Sequence, residues 1–372
     1  MDLLEQYVVP LLPESINNWL TGQTTPTLSP VHVAKLFVYP VKSCRGIAVE
    51  EAQVTKTGFL HDRHWVITDE DYIIMTQRTE SRLVLLQPTI HEHPKDPDTG
   101  LPTVPYLAVN VVEQQGSGLP PSTSQSELRV PLYPTDEERA QYKLVHVTVF
   151  SEKVAGYDLG DEVAEWCSQF LGKPARLVMR ADTEVRRMLV CAPPDDLVEE
   201  PSQTAFADDA PFLLASEASL HDVNEHLSGY SIDIRRFRPN ILVSGCQAFE
   251  EETWKRVQFI PDADREAAPE TRQADLWVTS RCTRCVMTNN NPDTGMPSSE
   301  QQPLKTLIAY RRVDPGAKFK GCFGMNCAPV KLGKSAVERL PAPKAMPDSI
   351  DNELVGGGDE LSDGLHMASR SG

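Results

Sequence analysis

The spacing of apolar residues changes along the chain, and the change divides it. From Val31 to Phe150, apolar positions fall in short alternating runs. VHVAKLFVYPV puts Val31, Val33, Leu36 and Val38 at strand spacing. HWVITDEDYIIMTQR predicts two strands around a turn at Thr68–Asp71, and RLVLLQPTI, LAVNVV and KLVHVTVF predict further strands. EHPKDPDTGLPT and EQQGSGLPPSTSQSE between them have the composition of loops. Short strands, turn clusters and the lack of a long helical period predict a β-barrel or sandwich over residues 31–150.

The period then becomes helical. Val163, Trp166, Cys167, Phe170 and Leu171 share one face over Asp161–Leu171, which Gly172 and Pro174 close. Residues 205–345 mix both periods. AFADDAPFLLAS, RPNILVSG and LWVTSRC predict strands, and SLHDVNEHL and PLKTLIAYR predict helices. Ser219 is the expected N-cap of the first of these, with Asp222 three residues later. Residues 1–30 read as a leader ending in TGQTTPTLSP, and residues 346–372 as a disordered acidic tail. The expected division is therefore 1–30, 31–150, 151–345 and 346–372, an α+β, β-rich chain of two domains. Its 372 residues suit that number.

Composition narrows the function. The formal charge of −17 repels phosphate backbones, so no nucleic-acid partner is expected. No run approaches the roughly 18 uninterrupted apolar residues of a spanning helix. The apolar patch Tyr7–Leu12 is broken by Pro10 and follows Asp2 and Glu5, unlike a signal peptide. The expectation is an intracellular protein, cytosolic or mitochondrion-associated, with reduced cysteines.

Those cysteines carry the first candidate chemistry. Cys282 and Cys285 form a C-x-x-C flanked by Arg281 and Arg284, and Cys322 and Cys327 a C-x4-C. Nearby positive charge favours the thiolate, the form that binds soft metals. Four readings stay open: plain core cysteines, four-cysteine zinc, a redox dithiol, or a soft-metal ligand presented at a strand end.

Other segments offer anion-binding groups. YPVKSCRG (39–46) places Lys42, Ser43 and Arg45 in a loop after a strand. DRHW (62–65) and RRFRPN (235–240) set Arg63, Arg238 and Asn240 beside strands. Ser216 begins a helix, where free N–H groups hold anions or where the side chain simply caps. A soft thiolate with several separate anion-binding groups suits a phosphate-bearing metal cofactor better than a bare zinc ion.

Six segments in one order carry a family resemblance: YPVKSCRG, HDRHW, PFLLASEASL, FRPNILVSGC, FEEETW and CTRCVMTNNNPDTG. The chain resembles the MOSC-domain proteins, closest to the mitochondrial amidoxime-reducing component type, from about Val31 to Leu340. The resemblance implies an N-terminal β-barrel-like domain plus a MOSC β-barrel domain with flanking helices. It implies a molybdenum cofactor (Mo-molybdopterin), with Cys285 as catalytic metal ligand. Lys42, Ser43, Arg63, Ser216, Arg238, Asn240 and Arg284 match cofactor-binding positions. The implied reaction is reduction of N-hydroxylated compounds (amidoximes, hydroxylamines, N-oxides). Electrons would come from NADH through cytochrome b5 reductase and cytochrome b5. Asn289, Asn290 and Asn291 depart from the family pattern before Pro-Asp-Thr-Gly, and a changed pocket is expected there. No animal-type N-terminal membrane anchor is evident. The rival readings are a molybdenum-cofactor carrier or sulfuration module, and a zinc-stabilised binding module.

Overall fold

The computed structural model describes residues 6–11, 31–97, 99–112, 127–150, 152–188, 191–194, 198, 201–261, 274–330 and 338–341. Its centre is a closed barrel. Val31–Val38 pairs with Ile241–Ser244, which lies parallel to Phe212–Ser216. Next come Cys322–Pro329, Ala274–Thr283 and Arg256–Pro261, all antiparallel. Gln6–Leu11 then pairs with Arg256–Pro261 on one side and with Val31–Val38 on the other, closing the ring. Ile47–Val49 extends the sheet beyond Val31–Val38.

The alternation read from VHVAKLFV holds. Val31, Val33, Leu36 and Val38 face a core shared with Leu214, Ile241, Val257, Leu276 and Cys327. Phe37 points the other way, into a second layer with Val223, Leu227, Phe237 and Leu242, so Glu217–Glu225 covers the outside of the barrel. Gly324 lies where two strands approach closely. A Cβ there would meet the Leu214 carbonyl oxygen at 2.9 Å, and its φ of +75° favours glycine as well.

Several expectations change in the structure. Gln6–Leu11, within the expected leader, is a barrel strand. Among the described residues its pairing with Val31–His32 involves only Tyr7 and Val8, ahead of Pro10, which has no N–H to give. Ile73 and Ile74 form isolated bridges rather than a second strand, just after Tyr72 turns at φ 60°. AFADDAPFLLAS is a strand only from Phe212 to Ser216. Cys322–Pro329, which carries both cysteines of the C-x4-C, is a central strand. The expected acidic tail lies outside the described residues.

The second layer of the molecule is a four-stranded antiparallel sheet: Lys143–Val149, Glu152–Asp158, Arg176–Arg180 and Trp65–Thr68. It crosses the boundary expected at 150/151. Asp161–Leu171 packs Trp166, Cys167 and Leu171 into its core with Trp65, Leu177 and Cys44. That helix ends at Gly172 in a left-handed cap, as its sequence predicts. Conversely, Val31–Val38 belongs to the barrel built mostly from residues after 205. Chain order and spatial division therefore differ. The loop that leaves Val38 runs from the barrel to the second sheet, where Val41 bridges to Trp65. Lys42 and Ser43 sit at that crossing.

Candidate functional site

Backbone conformation marks the site before side chains do. Ser43, Arg63 and Arg238 adopt φ of 70°, 50° and 59°. Such left-handed non-glycine residues cost about 1–3 kcal/mol each and persist where the surroundings over-determine them. Here the surroundings are a buried network. Asp62 accepts from the Tyr39 amide at 2.8 Å and from Asn240 Nδ2 at 3.0 Å. It also takes Arg63 Nη1 on both oxygens, at 2.7 and 2.6 Å. The guanidinium carbons of Arg63 and Arg238 each lie 4.3 Å from the Tyr39 ring centroid. Burial pushes the Tyr39 hydroxyl up to about 12, against the pull of Arg238 and Arg63. Burial likewise lowers Arg238 to about 10, with Tyr39 opposing.

Asn240 joins the two halves. Its Oδ1 accepts from the Leu213 amide of the barrel at 3.2 Å and from Arg63 at 3.1 Å. Arg238 Nη1 donates to the Cys44 carbonyl at 2.6 Å, tying the barrel side to the Lys42–Cys44 loop.

Above this network opens a cleft of about 980 Å³. Lys42, Ser43, Arg63, Arg238, Asn240, Arg284 and Cys285 all line it. Ser216 does not. Its Oγ accepts from the Ser219 amide at 3.0 Å, so Ser216, not Ser219, is the N-cap of Glu217–Glu225. The Ser219 hydroxyl donates to Glu251 at 2.7 Å instead. Ser216 is wholly buried, and its hydroxyl is spent on that cap and on Ser219.

Cys285 sits half-buried just past the end of Ala274–Thr283, where a strand-end loop presents it. Its carbonyl accepts from the Thr288 hydroxyl at 3.0 Å, starting the turn Val286–Asn289. Arg236 holds that turn through the carbonyls of Thr288, Asn289 and Asn290 at 3.0–3.3 Å. Arg284 Nη1 reaches the Cys282 sulfur at 3.0 Å and Nη2 the Phe237 carbonyl at 2.7 Å. Its Nε is buried with no partner among the described residues.

The sequence reading missed Arg78, Asp208 and Cys191. Arg78 lines the cleft with Cys285 and donates to Asp208 at 2.7 Å. Burial works against its charge, and Asp208 and Cys285 outweigh burial to raise its pKa. Lys42 also pairs with Asp208, and its Nζ donates to the Phe206 carbonyl at 2.6 Å. Burial lowers Lys42, with Asp208 opposing. Burial alone would raise Asp208, but Lys42 and Arg78 hold it well below the usual carboxylate range. Cys191 lines the cleft too, and burial pushes its thiol up to about 11. No motif marks these residues. They lie in loops whose partners are far away in sequence.

The four cysteines of the zinc reading do not converge. Cys327 faces the barrel core, Cys322 is fully buried, and only Cys282 and Cys285 reach the cleft. Among the described residues no three His, Cys, Asp or Glu side chains could share a metal ion. Asn289, Asn290 and Asn291 do not line the cleft either. Asn289 Oδ1 accepts from the Leu304 amide at 3.0 Å, and Asn291 Oδ1 from the Asp293 amide at 2.8 Å. They build the turn rather than the pocket wall.

Ten Lys or Arg and four Asp or Glu line the cleft, in a chain of net charge −17. Such a lining is suited to an anionic group, with a thiol beside it. Residues 31–174 match the MOSC N-terminal beta barrel domain and residues 201–351 the MOSC domain, and the chain belongs to this family. It is 32% identical over 314 residues to mitochondrial amidoxime reducing component 2 of Rattus norvegicus, covering 82% of this chain and 81% of that one. It is 33% identical over 292 residues to mitochondrial amidoxime-reducing component 1 of Homo sapiens, covering 77% and 74%. The N-terminal match runs to residue 174, past the boundary expected at 150 and through the helix Asp161–Leu171. Among the described residues, no helix is long and apolar enough to cross a membrane.

Proposed function

We propose that this chain is a molybdenum-cofactor-dependent reductase of N-hydroxylated and N-oxygenated compounds: amidoximes, hydroxylamines and N-oxides. Electrons reach it from NADH through cytochrome b5 reductase and cytochrome b5. Association with mitochondria, which the names of the relatives state for them, belongs to the same reading. The observation that carries it is the half-buried Cys285 thiol on the wall of a basic cleft in an acidic chain.

The donor set fits the cofactor. One soft thiol suits a soft metal, and guanidinium, ammonium, hydroxyl and amide donors suit a phosphate-bearing organic ligand. The buried Arg284 Nε is a donor that the protein's own network leaves over. Cys285 would bind the metal, and Lys42, Ser43, Arg63, Arg238, Asn240 and Arg284 would hold the organic part. Ser216 is left out, because its hydroxyl caps a helix. When bound, the cofactor supplies the two-electron chemistry that removes oxygen from nitrogen. The chain's own part is positioning. Arg236 holds the turn after Cys285, Arg78 adds a positive charge to the cleft wall, and Asp208 holds Arg78 and Lys42 in place.

Metal and pterin analysis tests this, on protein made in a host that synthesises the cofactor. Near one molybdenum per chain, lost in Cys285→Ser, is the expected result. Zinc without molybdenum or pterin would sink it. Bound molybdenum with no turnover by reduced cytochrome b5 or an artificial donor would point to a cofactor carrier.

A further inference from the structure

Phe150 is out of place in two ways. It lines the basic cleft, yet it is 61% exposed. It also begins the two-residue connection between Lys143–Val149 and Glu152–Asp158, with φ at 55°. Connections of that length favour Asn, Asp or Gly at positive φ, and a bulky ring there is an outlier. The fold gains little from the ring, because most of it stays in solvent. A strained, exposed aromatic residue in a functional cleft points to something the cleft receives.

Its neighbours say what. The Arg78 guanidinium carbon lies 5.4 Å from the Phe150 ring centroid, and Arg78, Phe150 and Cys285 line the same cleft. The ring therefore stands on the wall of the cleft that holds the thiol, a large apolar surface among charged groups. A flat hydrophobic face beside a polar reacting centre suits a ligand that is flat and apolar at one end and polar at the other.

We propose that Phe150 is the specificity-determining wall of the substrate approach, stacking on substrates whose N–O group is conjugated to an aromatic ring. This rests on the reductase reading of the same cleft. Aryl amidoximes and N-hydroxylated arylamines are then preferred over aliphatic counterparts. The preference belongs to the ring, not to the cofactor contacts below it.

The test compares benzamidoxime with acetamidoxime on the molybdenum-loaded wild type, Phe150→Ala and Phe150→Tyr. In Phe150→Ala the ratio of kcat/KM for benzamidoxime to that for acetamidoxime should fall about three- to tenfold, mainly through KM. Phe150→Tyr should keep the ratio. Phe150→Asn, which suits the turn, replaces Phe150→Ala if the latter does not fold. An unmoved ratio overturns the proposal. So does a lower pterin and molybdenum content in Phe150→Ala, which would assign the ring to the cofactor. A second readout is independent of turnover: benzamidoxime binding followed by ligand-observed NMR. Weaker binding to Phe150→Ala than to wild type supports the proposal even if no protein turns over, a failure that would count against the reductase reading alone. Equal binding, or none to wild type, overturns it.

Discussion

The side-chain amide of Asn290 donates to the backbone carbonyl of Gln77 at 2.9 Å, joining the Cys285 turn to the other half of the molecule. Gln77 passes the link on. Its side-chain amide donates to the Ser43 carbonyl at 2.6 Å, and its backbone N–H meets the Ser43 hydroxyl at 3.3 Å. Asn290, Gln77 and Ser43 are all buried. Asn290→Leu leaves the Gln77 carbonyl without its donor, at a cost of about 1–3 kcal/mol. Denaturant unfolding should show a lower midpoint by that amount. An unchanged midpoint would show that the two halves are held without this bond.

Ser216 separates capping from cofactor binding. Ser216→Ala removes the cap of Glu217–Glu225 and should cost about 1 kcal/mol of stability. Molybdenum content per folded chain should stay at the wild-type level. Loss of molybdenum without loss of stability would return Ser216 to the site.

Glu251 gives a pH dependence with a definite sign. It is fully buried, Oε1 accepts from Ser219, and Oε2 has no partner among the described residues. Burial raises its pKa, against the lowering by Ser219. The folded state thus holds its proton longer than the unfolded chain does. The stability this provides is full below the unfolded pKa of about 4.3 and declines as pH rises towards the folded value. Glu251→Gln keeps an acceptor for Ser219 and cannot ionise. Melting curves should show the variant gaining on wild type as pH goes from 4 to 8. A constant difference across that range would contradict it.

If cytochrome b5 is the electron donor, as proposed, its own negative charge means that docking on this acidic chain needs the basic cleft mouth. Arg187 and Lys320 line the cleft. If docking is electrostatic, its rate falls as salt rises, because screening shortens to about 8 Å at physiological ionic strength. Stopped-flow reduction by cytochrome b5 should slow several-fold between low and physiological salt. Arg187→Ser with Lys320→Ser should flatten the profile. A flat wild-type profile would argue against charge-guided docking.

Seven of the eight residues picked from motifs come together on one cleft: Lys42, Ser43, Arg63, Arg238, Asn240, Arg284 and Cys285. They were legible because each lies in a short motif next to a strand, where local chemistry and local conformation are both written in adjacent residues. Arg78 and Asp208 were not. Their partnership spans 130 positions, and neither TQRTE nor FADDAP carries a pattern of its own. Ser216 had two readings from sequence, and the depth of its burial selected the cap.

The sequence by itself determined the strand-rich class, the helix Asp161–Leu171 with its glycine stop, and the candidate thiol and basic groups. All of these depend on residues within a few positions of one another. Tertiary structure decided that Gln6–Leu11 closes the barrel, that Val31–Val38 serves the domain built mainly from later residues, and that Cys322 and Cys327 turn away from Cys285. Strand partners and the facing of a side chain are set by hydrogen bonds and packing between segments up to some 250 residues apart. Local periodicity carries no record of them.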